Sequence, residues 1–197
     1  YATAYSPTMI EAYRARYGGD LLDELGKLFV DCDGAPGFRF RYWQLMNERY
    51  TEQFAGRIFR WCELHRAMLT GHSIQEDSLG GQMICSAGVM PFYEYEHIPG
   101  IDWLGRITAT ELGAKQVGSA AAQLGKKHVL TETFACCGWD VTPRELKRIA
   151  EWQYVNGVNL MCHHLYPYSI RGQRKRDYPA FYSEHNTWTQ PEEFRHF

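Results

Sequence analysis

The chain lacks any Cys-x-x-Cys spacing, although it holds six cysteines in 197 residues: Cys32, Cys62, Cys85, Cys136, Cys137 and Cys162. That argues against a cysteine-built zinc site, and the density is too low for a disulfide scaffold. The thiols read as reduced and mostly buried, which favours a cytoplasmic compartment. The adjacent Cys136 and Cys137 are poor candidates for a bridge, because a disulfide between neighbours is strained. No run of about 18 apolar residues occurs, so no membrane span is expected. Tyr1-Ala2-Thr3-Ala4-Tyr5 offers neither the basic nor the apolar region of a signal peptide. Charge of one sign is also missing. Lys and Arg total 21 against 23 Asp and Glu, a net charge of −2, which exerts no overall pull on nucleic acid or an anionic membrane. No Gly-x-Gly-x-x-Gly or Gly-x-x-x-x-Gly-Lys loop follows a predicted strand, which removes the usual marks of a dinucleotide or nucleoside triphosphate site.

Aromatic side chains are abundant: 15% of the chain, with six Trp and 13 Tyr. Both sugar-binding clefts and large barrel cores use such rings. The amino-terminal third has helical punctuation. Ser6-Pro7 opens a segment that Gly18-Gly19 closes, and a short helix starts at Asp20 and ends near Asp31. Asp33-Gly34-Ala35-Pro36-Gly37 reads as a turn-rich break. From Phe38 to about His65 the apolar residues Tyr42, Leu45, Met46, Phe54, Ile58, Trp61 and Cys62 keep helical spacing, with Glu48, Arg49, Glu52 and Arg60 on the exposed face. Asn47-Glu48 matches the Asn-Glu pair of some glycosidases, but its mid-helix position favours a solvated face.

Beyond this helix, short strands alternate with helices. Arg66–Thr70 should be a strand leading to Gly71-His72 and the acidic cluster Gln75-Glu76-Asp77. Gly88–Tyr93 should be the next, delivering Tyr93, Glu94 and His97 before a turn at Ile98-Pro99-Gly100. A helix over roughly Thr108–Leu124 follows, then the β-branched run Val129-Leu130-Thr131-Glu132-Thr133. Thr142-Pro143-Arg144-Glu145 is a capping box with Pro at the first helical position. Val158–Cys162 is a further strand, opening onto His163, His164 and Tyr166. Strand and helix in alternation predict a parallel sheet in an α/β fold, and a (β/α)8 barrel of the TIM type is the expectation. Four units make half of such a barrel, which typically takes about 250 residues. Residues 1–197 then form a single partial domain, the carboxyl-terminal four or so βα units. The missing amino-terminal half would be a partner.

At the carboxyl ends of parallel strands, polar clusters read as catalytic or ligand-binding. The motifs Leu69-Thr70-Gly71-His72 with Glu76, Met90-Pro91-Phe92-Tyr93-Glu94 with His97-Ile98-Pro99-Gly100-Ile101-Asp102, Thr131-Glu132-Thr133-Phe134 with Gly138-Trp139-Asp140, and His164-Leu165-Tyr166-Pro167-Tyr168-Ser169 together resemble the barrel of α-L-rhamnosidase-type glycoside hydrolases, family 106 and its relatives. The resemblance implies hydrolysis of O-glycosidic bonds in rhamnose-containing or other plant or bacterial glycans by an inverting carboxylate pair, with Glu132 as base. It also implies a possible calcium near the site, although the sequence requires no cofactor. Glu76, beyond the strand that carries His72, is the candidate acid. His72, Tyr93, Glu94, Trp139, His163, His164 and Tyr166 are candidate sugar contacts.

No His-x-x-x-His or His-Glu-x-x-His spacing occurs, so the spacing does not predict a zinc hydrolase. Adjacent His163 and His164 point to opposite faces of a strand, so one of the two would face the cleft. The basic stretch Arg171-Gly172-Gln173-Arg174-Lys175-Arg176 reads as a solvated loop over the barrel mouth, where an Arg could hold a substrate carboxylate. A different functional class is a non-catalytic carbohydrate-binding or self-associating half-barrel, since an incomplete barrel exposes strand edges.

Overall fold

The computed structural model describes residues 6–138 and 141–164. The amino-terminal helices are α1 (Pro7–Tyr17), α2 (Leu21–Glu24) with a 3-10 turn at Leu25–Leu28, and α3 (Ala35–Tyr50). Pro7 starts α1, and Gly18 ends it in the left-handed region (φ 78°), its N–H donating to the Arg14 carbonyl. The Asp20 carboxylate caps α2 through the Leu22 N–H. Helix α3 starts earlier than its periodicity suggests. Pro36 lies within its first turn, so the expected break at Asp33–Gly37 is in part a helix start. Met9, Tyr13, Leu21, Phe38, Tyr42 and Leu45 close a small core among these helices.

The long predicted helix is continuous but out of phase. A π-helical turn at Thr51–Ala55 joins α3 to α4 (Gly56–Leu64). Its i→i+5 bonding adds residues to a turn, so the apolar stripe rotates away from the core. Phe54 and Trp61, expected inside, are 50% and 55% exposed; Cys62 is buried as expected, and Thr51 and Ala55 are buried with it. Asn47 is structural: its amide donates to the Gly88 carbonyl at 2.7 Å. Glu48 pairs with Arg16.

The strand positions need correction in two places. Arg66–Thr70 forms no strand. Only Thr70 bridges Ile98, in parallel, while the Leu69 carbonyl accepts from the His97 and Ile98 N–H groups. Gly88–Tyr93 is a turn leading into a 3-10 helix, Phe92–Tyr95. The strand β1 lies beyond it, at Gly100–Trp103, where Pro99-Gly100 had read as a turn. Helix α5 (Leu79–Ser86) was not legible. Ser78 caps it, but Gly80 and Gly81 dilute its helical signal.

Helix α6 (Leu112–Gln123), β2 (Leu130–Thr133), α7 (Pro143–Val155) and β3 (Leu160–His163) follow close to expectation, and the Thr142–Glu145 capping box is present with both of its bonds. The fold is α/β with a parallel three-stranded sheet, order β1-β2-β3. Gly100, Asp102 and Trp103 stand beside Leu130, Glu132 and Thr133, and Glu132 stands beside Cys162.

Alternation divides the sheet's two faces. Ile101, Thr131 and Thr133 are fully buried on the helix-covered face. There the Gln153 amide of α7 donates to the Thr133 hydroxyl at 2.8 Å, and the rings of Trp103 and Trp152 lie 4.5 Å apart. Asp102, Glu132 and Cys162 occupy the other face. Leu160 and Cys162 on that face are exposed. Among the described residues, no helix is long and apolar enough to cross a membrane.

Gly100 is tightly constrained. A Cβ there would lie 2.3 Å from the Gly71 carbonyl oxygen and 3.2 Å from Leu130 Cδ2. Gly100→Ala should therefore destabilise the fold by roughly 1–3 kcal/mol, as overpacking does. A urea unfolding midpoint unchanged from the parent would show that this close backbone approach is absent.

Candidate functional site

The Gly71–Gly100 approach fixes the site, because it presses the His72 loop against the open face of the sheet. His72 Nε2 lies 2.6 Å from Glu132 Oε2, and His72 Nδ1 lies 2.5 Å from the Ser73 carbonyl. A carbonyl only accepts, so Nδ1 carries a proton and donates. Asp102, one strand away and in register with Glu132, completes a cluster in which one ligating atom each of His72, Asp102 and Glu132 lies within 4.8 Å of the others. His164 Nε2 approaches from the end of β3, 3.8 Å from Glu132 Oε1. The two histidines divide as strand geometry requires: His163 turns the other way, its ring edge-on to Phe134 at 5.0 Å.

Burial makes this an acidic site with too few counter-charges. Glu76 is 1% exposed, and no side chain meets either carboxyl oxygen at hydrogen-bond geometry; the donors acting on it are the backbone N–H groups of Glu76 and Asp102. Desolvation raises its pKa to about 7, opposed in part by its own backbone N–H and by His72, and reinforced by the Asp102 charge. Asp102 titrates above the ordinary range because of its own burial, opposed by His72, with Glu132 adding repulsion. Its Oδ1 is buried without a partner. Burial opposes charge on the His72 ring, but the Ser73 carbonyl and the carboxylates of Asp102, Glu132 and Glu76 outweigh it and hold the pKa above its usual value. Backbone strain flanks the cluster. Gln75 (φ 57°), before Glu76, and Phe134 (φ 78°), just past β2, adopt the left-handed region. For a buried phenylalanine that conformation is unusual and typical of functional sites.

The other expected contacts separate from this cluster. Tyr93 is fully buried, and its backbone carbonyl binds Lys126 Nζ. Glu94 is on the rim of a groove of about 750 Å³ between α3 and α5, lined also by Trp43, Phe40 and Tyr95. His97 is structural: Nδ1 accepts from the Leu69 N–H, and the ring stacks on Phe59 at 4.5 Å. Trp139, Tyr166 and the basic stretch lie outside the described residues. Asp102 was missed as a site residue because its strand was misplaced; a carboxylate two residues past a Pro-Gly was the available signal. A smaller cavity of about 420 Å³ borders the cluster through Glu76 and Asp102.

The calcium implied by the resemblance calls for six to eight oxygen donors. The described cluster brings two carboxylates around an imidazole, a donor set that does not fit calcium. In comparisons with known proteins, no family model matches the chain, and neither a curated protein nor a solved structure matches it.

A second buried carboxyl, Glu96, is raised by desolvation to about 8, opposed by the Gly100 N–H that it accepts and by Lys126, with Glu76 adding to the rise. Both groups hold protons in the folded chain that they release when unfolded. Their contribution is therefore full below pH 4.5 and declines as pH rises through about 7 to 8. Urea midpoints measured across that window should fall, and Glu96→Gln should flatten the decline. An equally steep decline in Glu96→Gln would show that this carboxyl reaches water in the native state.

Proposed function

We propose that this site hydrolyses a glycosidic bond through a carboxylate pair formed by Glu132 and Asp102. The observation that carries the proposal is the register of β1 with β2, which puts these two side by side with His72 against both. The carboxyl ends of adjacent parallel strands are where α/β enzymes assemble catalytic groups. Glu132, held by His72, supplies the ionised carboxylate that attacks the anomeric carbon. Asp102, whose burial and charged neighbour favour the protonated form, gives its proton to the leaving oxygen and then activates the water that releases the sugar.

Nearest oxygens no more than 4.8 Å apart leave too little room for the water of an inverting pair, which needs about 6.5–9.5 Å. That upper bound favours the shorter separation of a retaining pair, about 5–5.5 Å. The proposal is therefore retention, where the resemblance implies inversion. Glu76 has its oxygens sealed from solvent, which favours a role behind Asp102: holding a proton near neutral pH and limiting the negative charge of the site. The substrate class, an α-L-rhamnoside or similar glycan, rests on the sequence resemblance. A (β/α)8 barrel belongs to the same proposal and calls for further strands, the other half of the barrel as partner, to cover the face on which Leu160 and Cys162 are exposed.

Glu132→Gln and Asp102→Asn should each lower kcat on aryl α-L-rhamnosides by about 10²–10⁴-fold, and the first-formed sugar should keep the substrate's anomeric configuration by NMR. Near-parental turnover in either variant would remove that residue from the pair.

The groove beside α3 favours a second reading, saccharide binding without turnover. It offers Trp43 and the 70%-exposed Phe40 for stacking, with Glu48 and Glu94 to accept from hydroxyls. Calorimetric titration with a glycan panel should then give binding that Trp43→Ala abolishes and Glu132→Gln leaves intact. The reverse sensitivity would return the binding to the Glu132 site.

A further inference from the structure

We infer that His72, Asp102 and Glu132 form a binding site for a first-row divalent transition metal of the zinc, manganese or ferrous class. The inference stands on the donor geometry and does not require the glycosidase reading. Three features of the cluster support it.

The ligands come from three separate segments, the Gly71 loop, β1 and β2, and converge on one point. Donors about 2.0–2.2 Å from a metal lie roughly 3–4 Å from one another, so atoms already within 4.8 Å need only small side-chain rotations to close. His72 also has the orientation of a metal-binding imidazole. Its Nδ1–H is committed to the Ser73 carbonyl, which fixes the tautomer and directs the Nε2 lone pair at the carboxylates. In the metal-free chain a proton joins Nε2 to Glu132 Oε2 across 2.6 Å; a metal would replace that proton as the two atoms part to about 3 Å.

Glu76 is an independent observation at the same place. It is 1% exposed, no side chain meets either of its oxygens at hydrogen-bond geometry, and it interacts electrostatically with His72 and Asp102. A buried carboxylate with nothing to bind is costly. A divalent cation beside it would compensate the charge of the two carboxylates that bind it, Asp102 and Glu132. A mixed nitrogen and oxygen set with one imidazole selects borderline metals over calcium and magnesium, which prefer oxygen alone. The metal would engage Glu132 and Asp102, so on the glycosidase reading the loaded form is closed to substrate and zinc is a reversible inhibitor.

The test is titration of the chelator-treated chain with cobalt(II), followed by visible absorption and calorimetry. The expected result is one cobalt per chain, displaced by zinc and not by calcium. Binding should be lost in His72→Ala and weakened about a hundred-fold or more in Asp102→Asn. Melting of the metal-free variants, followed by circular dichroism, separates a lost ligand from a lost fold. Should His72→Ala fail to fold, Asp102→Asn and Glu132→Gln carry the test. No binding to the parent, undiminished affinity in the folded variants, thiolate charge-transfer bands that place the metal on cysteines, or equal competition by calcium would each overturn the inference. The glycosidase proposal is read separately, from turnover of the metal-free chain.

Discussion

Among the described glycines, Gly100 is the one whose added Cβ would lie nearest another backbone, the Gly71 carbonyl, and the candidate site depends on that approach. The Gly71 carbonyl occupies the space that a Cβ of residue 100 would fill. Because Gly100 opens β1, the loop following Thr70 is laid across the face of the sheet that carries Asp102 and Glu132. His72 then needs no helix or strand of its own to reach Glu132. The parallel bridge from Thr70 to Ile98 and the bond from Gly100 N–H to the Glu96 carboxyl hold the same junction from either side. A single glycine thus couples strand register to site geometry.

The charge arrangement at this junction is costly. Glu76 and Glu96 are each 1% exposed, and isolated charges at such depth cost several kcal/mol unless neutralised. The chain reduces that cost by proton retention, and Lys126, itself lowered by burial, lies near Glu96 while binding the Tyr93 and Glu94 carbonyls. Glu76 packs against Gly113 of α6 through its backbone and Cβ, while α6 and α7 cover the sheet with apolar side chains and the Gln153–Thr133 bond. A buried acid at that place points toward chemistry, as does the left-handed backbone of Gln75 beside it.

The legibility of the sequence followed the locality of the forces. The Thr142 capping box, the Gly18 terminator and β2 rest on neighbours in the chain and were readable from it. Strand β1 was not, because Pro99-Gly100 is a turn signal by local propensity, and only the distant Gly71 carbonyl explains the glycine. The inward face of the long helix was legible at Tyr42, Leu45 and Cys62 but not at Phe54, Ile58 and Trp61, which are exposed, since the π turn at Thr51–Ala55 has no marker in the apolar spacing. Within the site, Glu132 and His72 were visible as polar tips, whereas Asp102 depended on β1 and Tyr93 was assigned to a strand that does not exist. Sequence periodicity locates single elements; it does not report which two of them share a face across 30 residues.

The proton on His72 Nδ1 links the catalytic and metal readings. With that proton given to the Ser73 carbonyl, Nε2 can meet Glu132 in two ways. As imidazolium it donates to Glu132, steadies the ionised carboxylate and leaves Asp102 to exchange protons with a leaving group. As neutral imidazole it is a lone pair beside two carboxylates, and a divalent cation is then the species that satisfies all three. The imidazolium and metal states are mutually exclusive, because proton and metal both take the Nε2 lone pair, which in the metal-free chain lies 2.6 Å from the Glu132 carboxylate. Competition between proton and metal for one position follows from the geometry alone. Metal affinity at this site should therefore weaken as pH falls and His72 takes up its second proton, and on the glycosidase proposal the metal-free form is the one in which Glu132 would meet a sugar.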